Sequence, residues 1–281
     1  MGECSKETSF EILDTFTSLG GNFIDTANAY QDGESETWLG EWMTLRKNRD
    51  DLVIATKYSN PYLMHEKNRI QSNYGGNNTK SLRISVDASL AKLQTSYIDL
   101  LYLHWWDYAT SIPEIMHALN DLVASGKVNY LGISDTPAWI VSKANQFARD
   151  HGLRPFVVYQ GRWNAAMRDF EREIIPMCKD EGMGIIPFAV LGQGKFQTEE
   201  GYKEREKENP GRKGKPSERE KAVSRVLEGL AKVKNTQITS VALAYVMQKA
   251  PYVFPLVGGR KVDHIKGNIE ALKVDLSEED V

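Results

Sequence analysis

The sequence predicts a parallel α/β barrel, on two observations. Apolar strand-like runs alternate with amphipathic helical stretches along most of the 281 residues, and nearly every run ends in a polar or glycine-rich segment. An open doubly wound sheet gathers its site at one switch point, whereas a closed ring of parallel strands brings every strand C-terminus to one mouth. Polar residues at so many strand ends favour the ring, an eightfold barrel read as one domain over residues 1–281.

Taken in order, Lys6 to Leu19 reads as a helix stopped by Gly20-Gly21. The strand Asn22 to Asp25 closes on a carboxylate, and Tyr30 follows five residues later. After a helix over Ser35 to Arg46, the strand Leu52 to Lys57 closes on an ammonium. The polar connection Tyr58 to Asn78 lacks helical period and reads either as a loop covering a site or as solvated surface. A helix over Thr79 to Leu93 leads into the strand Ile98 to His104, which closes on an imidazole. The next pairs are helix Ile112 to Ser125 with strand Val128 to Ile133, then helix Ala138 to Asp150 with strand Phe156 to Gln160. Helix Asp169 to Glu181 precedes strand Gly184 to Phe188. The charged stretch Gly192 to Arg219, broken by Gly201, Pro210-Gly211, Gly214 and Pro216, reads as a solvated linker or as a flap over a ligand. Two helices in series between Ser217 and Ala250 and a strand Val253 to Val257 complete the pattern.

A chain of this size with 41% hydrophobic residues can build a substantial core. Its formal net charge of −3 gives no general attraction to nucleic acid or to an anionic membrane, and no window has the apolar length of a membrane span. Cys4 and Cys178 lie far apart, outside any CxxC or Cys/His spacing, so neither a disulfide framework nor a structural metal is expected. His65, His117 and His151 show no ligand spacing either. With no apolar leader at Met1 to Lys6, a reducing, cytoplasmic setting is the expectation.

Asp25, Tyr30, Lys57 and His104 follow three successive strands. A phenol ionises near a pKa of roughly 10, so one that donates a proton at neutral pH needs a cation close by to stabilise the phenolate. Lys57 can be that cation, Asp25 can hold it, and His104 can hydrogen-bond a carbonyl oxygen. Each residue alone has an ordinary explanation: a turn cap, a packing ring, a solvated strand-end charge, a core histidine. The ordered set points to a site.

These four residues in this order resemble the catalytic tetrad of the aldo-keto reductases. So do Gly132-Ile133-Ser134-Asp135, Tyr159-Gln160, the run from Pro187 to Lys195, and Val257-Gly258-Gly259-Arg260 with His264 and Asn268 beyond. Gly21 to Ala27, Ser35 to Trp42 and His104 to Asp107 are most similar to the fungal aryl-alcohol dehydrogenase and norsolorinic acid reductase group. The resemblance implies a (β/α)8 TIM barrel lacking its N-terminal hairpin and first strand and truncated at the C-terminus. It also implies hydride transfer between NADP(H) and an aromatic carbonyl or alcohol, with Tyr30 as proton donor.

By the same resemblance Ser134, Asp135 and Gln160 contact the nicotinamide carboxamide, with Asp25 beside them, and Phe188 stacks on the ring. Leu191, Gly192, Gln193, Gly194 and Lys195 approach the pyrophosphate. Gly258, Gly259, Arg260, Lys261, His264 and Asn268 take the adenosine end, where Arg260 and Lys261 favour NADPH over NADH. Asp135 stands where the family more often has Asn, and an ionised carboxylate accepts from an amide but cannot donate. Trp105 and Trp106 suit a flat aromatic substrate, with Tyr58 and Trp163 as further pocket residues. The alternatives are a non-catalytic cofactor-binding protein, like the potassium-channel β-subunits of this fold, and an inactive truncated paralogue. A small-molecule substrate is expected, with no nucleic acid and no membrane, and the sequence leaves room for a homo-oligomer.

Overall fold

The computed structural model describes residues 4–208 and 215–281. The chain divides into two compact units, Met1–Gln160 with Met177–Met183, and Gly161–Pro176 with Gly184–Val281.

The first unit alternates helix and strand as expected: α1 (Lys6–Ser18), β1 (Phe23–Asp25), α2 (Glu34–Arg46), β2 (Val53–Tyr58), α3 (Thr79–Leu93), β3 (Ile98–Leu103), α4 (Ile112–Ala124), β4 (Val128–Ser134), α5 (Ala138–Asp150) and the start of β5 (Phe156–Arg162). Among the described residues no strand precedes α1. Adjacent strands from β1 to β5 pair in parallel in sequence order. Helix starts carry the caps that their sequences call for. Ser5 Oγ accepts from Thr8 N at 3.2 Å and Asn78 Oδ1 from Ser81 N at 3.0 Å, each satisfying a first-turn donor.

Register places the reactive residues in rows. Lys57 pairs with Tyr102, Tyr102 with Gly132, and Gly132 with Val158. Side chains alternate along a strand, so Asp25 (opposite Ala55), Lys57, Tyr102, Ser134 and its partner Gln160 all lie on one face. Gly132 makes the row possible: a Cβ there would fall 2.5 Å from the Tyr102 ring. Outside the sheet, α2 and α3 approach so closely that a Cβ on Gly40 would fall 2.2 Å from the Lys92 carbonyl oxygen.

The second unit holds the end of β5, the start of α6 (Phe170–Glu181), β6 (Gly184–Phe188), α7 (Glu199–Glu208), α8 (Glu218–Val233), α9 (Ile238–Lys249) and α10 (Val262–Ile269). Two sequence expectations change here. The strand expected over Val253 to Val257 is a single parallel bridge, Ile185 to Val253. Its backbone bonds follow a parallel ladder, Ile185 N to Tyr252 O, Phe254 N to Ile185 O and Leu256 N to Pro187 O. The bond that would join the ladder has no donor, because Pro187 carries no N–H. The charged stretch after Gly192 also contains a helix, α7, which its dense charges hid from a pattern based on apolar period. Residues 209–214, the middle of the stretch read as linker or flap, lie outside the described residues.

Candidate active site

Lys57 is fully buried at the end of β2. Its ammonium pairs with the Asp25 carboxylate and donates to the Thr26 carbonyl at 2.7 Å. The other Asp25 oxygen accepts from Gln160 Nε2 at 3.0 Å, so one carboxylate is shared between two strand ends. Burying a charge is costly unless it is paired and hydrogen-bonded, and here both oxygens have donors. The Lys57 Nζ lies 5.1 Å from the centroid of the Tyr30 ring. The Tyr30 and His104 rings meet edge to face with centroids 5.9 Å apart. All four expected tetrad residues are therefore gathered in the first unit.

Tyr30 opens a 3₁₀ turn, Tyr30–Gly33, in which Gln31 and Asp32 adopt positive φ of 48° and 53°. Tyr30 as a residue is 37% exposed, with Lys57 and His104 against its ring. A second ion pair, between a half-buried lysine and a buried glutamate, holds the base of this turn. Lys92 Nζ on α3 lies 2.7 Å from Glu36 Oε2 on α2 and donates to the Asn28 carbonyl at 3.2 Å. Thr56, next to Lys57, donates to the other Glu36 oxygen at 2.6 Å.

His104 follows β3. Burial and the Lys57 charge push its pKa down to about 4, so the imidazole is neutral at physiological pH. Its Nδ1 lies 3.0 Å from Asn60 Nδ2. Beside it, Tyr102 is fully buried, with an oxygen that has no hydrogen-bond partner among the described residues. Burial and the Asp25 charge hold that phenol well above its ordinary pKa, so it stays a neutral floor to the site.

Sequence reasoning missed Asn60, Tyr102, Glu36 and Lys92. Tyr102 had a signal, being the one polar-tipped ring in Leu100-Leu101-Tyr102-Leu103 and two residues from His104, hence on its face of the strand. Asn60 lies in a loop and had none.

The other expected residues divide. Ser134 and Gln160 are buried at the ends of β4 and β5. Asp135, at a positive φ of 40°, is exposed, and its N–H donates to the Gln160 carbonyl at 3.2 Å. Trp105 is 36% exposed and Trp106 is buried. Tyr58 is a buried core residue, its hydroxyl donating to the Asn77 carbonyl at 3.4 Å.

Within the second unit Trp163 is a buried core residue, stacked 5.6 Å from Phe170 and donating to Glu171. Phe188 ends β6 half-buried. The Gly192 to Lys195 loop uses its own groups: the N–H of Gly192, of Gly194 and of Lys195 close turns on Ala189, Leu191 and Gly192, and Lys195 Nζ lies 3.0 Å from Glu220 Oε1. Gly258 and Gly259 lead to Arg260, whose N–H donates to His264 Nδ1 at 3.3 Å, and to Lys261, the N-cap of α10. On that helix Asn268 Nδ2 is buried with no hydrogen-bond partner among the described residues, a donor that the adenosine end of a nicotinamide cofactor would satisfy.

No helix among the described residues is long and apolar enough to cross a membrane. The family model of the aldo/keto reductases matches residues 1–281. The chain is 70% identical to norsolorinic acid reductase B of Dothistroma septosporum, over all of this chain and 72% of that protein. It is 57% identical to an aryl-alcohol dehydrogenase of Pestalotiopsis microspora, over all of this chain and 72% of the relative. A putative aryl-alcohol dehydrogenase of Saccharomyces cerevisiae is 52% identical, again over the whole chain and 77% of the relative. The family match over the whole chain, with these relatives named as reductases and dehydrogenases, makes this chain an oxidoreductase that belongs to the aldo/keto reductase family, a family that generally uses NAD(P)H.

Proposed function

We propose that the protein is an NADPH-dependent reductase that interconverts aromatic aldehydes or ketones with their alcohols. The observation that carries this reading is the buried Lys57 ammonium, fixed by Asp25 and Thr26 and lying 5.1 Å from the Tyr30 ring centroid. When bound, the reduced nicotinamide supplies the hydride. Tyr30 gives its proton to the carbonyl oxygen as negative charge develops there, and Lys57 stabilises the phenolate left behind. Neutral His104 orients the same oxygen. Such proton transfer is worth roughly 10²- to 10⁴-fold.

In the first unit Asp25, Ser134, Asp135 and Gln160 would hold the nicotinamide end. Within the second unit, taken by itself, Phe188 offers an aromatic face for stacking, and the loop Leu191 to Lys195 would meet phosphate once Lys195 exchanges Glu220 for it. Arg260 and Lys261 supply cations for a 2′-phosphate, which favours NADPH, and His264 and Asn268 complete that end. The exposed indole of Trp105 suits a flat aromatic ring, with the buried Trp106 behind it in sequence. The relatives named norsolorinic acid reductase and aryl-alcohol dehydrogenase support aromatic substrates, and the cysteine usage supports a cytoplasmic setting. Loss of NADPH absorbance with a panel of aromatic aldehydes and ketones tests the reading. Cofactor binding, seen as fluorescence quenching, without turnover of any carbonyl would replace it with a non-catalytic cofactor-binding role.

A further inference from the structure

Asn60 sits two residues beyond β2, after a turn that the fold holds in an unfavourable conformation. Ser59 adopts a φ of 92°, a region that non-glycine residues avoid. Three bonds clamp it there. Its carbonyl accepts from Gly76 N at 2.8 Å, and its hydroxyl oxygen accepts from Asn77 Nδ2 at 2.8 Å and from His104 N at 3.2 Å. The result is an amide lying between two rings. Trp105 Nε1 donates to Asn60 Oδ1 at 2.7 Å, and Asn60 Nδ2 faces His104 Nδ1 at 3.0 Å.

An indole N–H can only donate, so the amide oxygen must face Trp105. The other end of the amide is then an NH₂ group, which also can only donate. Its neighbour, Nδ1 of His104, must therefore be the unprotonated nitrogen. The flipped amide would set an NH₂ against the indole N–H, donor against donor.

We infer that Asn60, oriented by Trp105, is a positioning residue that fixes His104 in the tautomer carrying its proton on Nε2, the form that can donate to a substrate carbonyl. This rests on the reading that His104 orients that carbonyl. Burial and Lys57, which push the His104 pKa down to about 4, act in the same direction by opposing the imidazolium. Asn60 adds what desolvation does not supply, a choice between the two neutral forms.

The test reads the ring nitrogens of His104 directly, by long-range ¹⁵N NMR of the full chain labelled at histidine, with His104→Gln assigning the signal. In the wild type Nδ1 is expected as the unprotonated nitrogen and Nε2 as the protonated one. In Asn60→Asp the carboxylate can only accept, so Nδ1 carries a proton at every pH. The kcat for a carbonyl substrate then falls as pH rises through the raised His104 pKa, by roughly 10²- to 10³-fold, the usual cost of losing one preorganised donor. Asn60→Ala removes the constraint without imposing the wrong form and should lose less than Asn60→Asp. A packing role predicts the opposite order, since Asp keeps the shape of Asn and Ala does not. A protonated Nδ1 in the wild type, an unprotonated one in Asn60→Asp, or a greater loss in Asn60→Ala would overturn the inference. If no carbonyl is reduced, the functional reading fails, and the NMR signals still decide the tautomer.

Discussion

The strand-end cluster of the first unit and the glycine loop of the second are built on opposite principles. Asp25, Lys57, Ser134 and Gln160 sit on hydrogen-bonded strands, and their partners come from other elements: Lys57 from Asp25 and Thr26, Asp25 from Gln160. Gly192 to Lys195 form turns whose N–H groups bond within the loop, and the Lys195 charge is neutralised by Glu220, itself the N3 partner of Ser217 in the capping box of α8. In the proposed reaction the first region would be preorganised for chemistry, and the second would have to break contacts of its own to take a phosphate. Catalytic electrostatics gains most where nothing has to reorganise during reaction. Substitutions in the first region should therefore act on kcat in large steps, and those in the second should act on cofactor affinity in small ones.

The largest effect is expected from Lys57→Met. It leaves the Asp25 carboxylate buried without its ammonium, so activity should vanish and stability should fall by about 3–5 kcal/mol in urea unfolding, as for other broken buried pairs. Retained stability would mean that Gln160 alone can satisfy Asp25. Tyr30→Phe comes next: kcat should drop by roughly 10²- to 10⁴-fold with NADPH binding and stability unchanged, because the residue is partly exposed and only its hydroxyl is lost.

The His104 contribution to stability has a defined pH window. Its pKa is about 4 when folded and 6.5 as the ordinary value, so between these limits the unfolded chain takes up a proton that the folded chain refuses. The stabilisation is complete above about pH 6.5 and is lost as pH falls toward 4, amounting to about 3 kcal/mol. The unfolding free energy of His104→Gln should lack this component, and parallel pH dependences in the two proteins would show that His104 is not desolvated as described.

Smaller changes belong to the second region. Arg260→Ala should raise the KM for NADPH by roughly tenfold, about one charge-assisted hydrogen bond, and leave that for NADH nearly unchanged. An equal rise for both cofactors would remove the 2′-phosphate from the account. Lys195→Ala is the mildest test, since the ammonium is already paired with Glu220; a KM shift of only a few-fold is expected, and a larger one would show that the loop releases Glu220 readily.

Much of the site was legible because its signals are local. A polar residue closing an apolar run marks a strand end, and a two-residue period places side chains on a face, so Asp25, Lys57, His104, Ser134 and Gln160 could be named from short windows. Elements with apolar rhythm were legible for the same reason, and α7, almost wholly charged, was not. The strand expected at Val253 to Val257 has the rhythm but meets Pro187, which interrupts the ladder from the other side. Burial was legible least. Tyr58 and Trp163 follow or flank strand ends as pocket residues do, and only packing shows that both rings are enclosed.

The amino-acid order by itself determined most of the alternation of helices and strands, the strand-end residues Asp25, Lys57, His104, Ser134 and Gln160, and the family to which they belong. Tertiary structure decided the partners. The Asp25 to Gln160 bond spans 135 positions and depends on strand register across the sheet. The contact between Asn60 and His104 spans 44 positions and depends on a strained turn at Ser59, clamped by bonds from Gly76, Asn77 and His104 itself. Residue type fixes what a side chain can donate or accept. Which proton it holds is set by the neighbour that folding places against it.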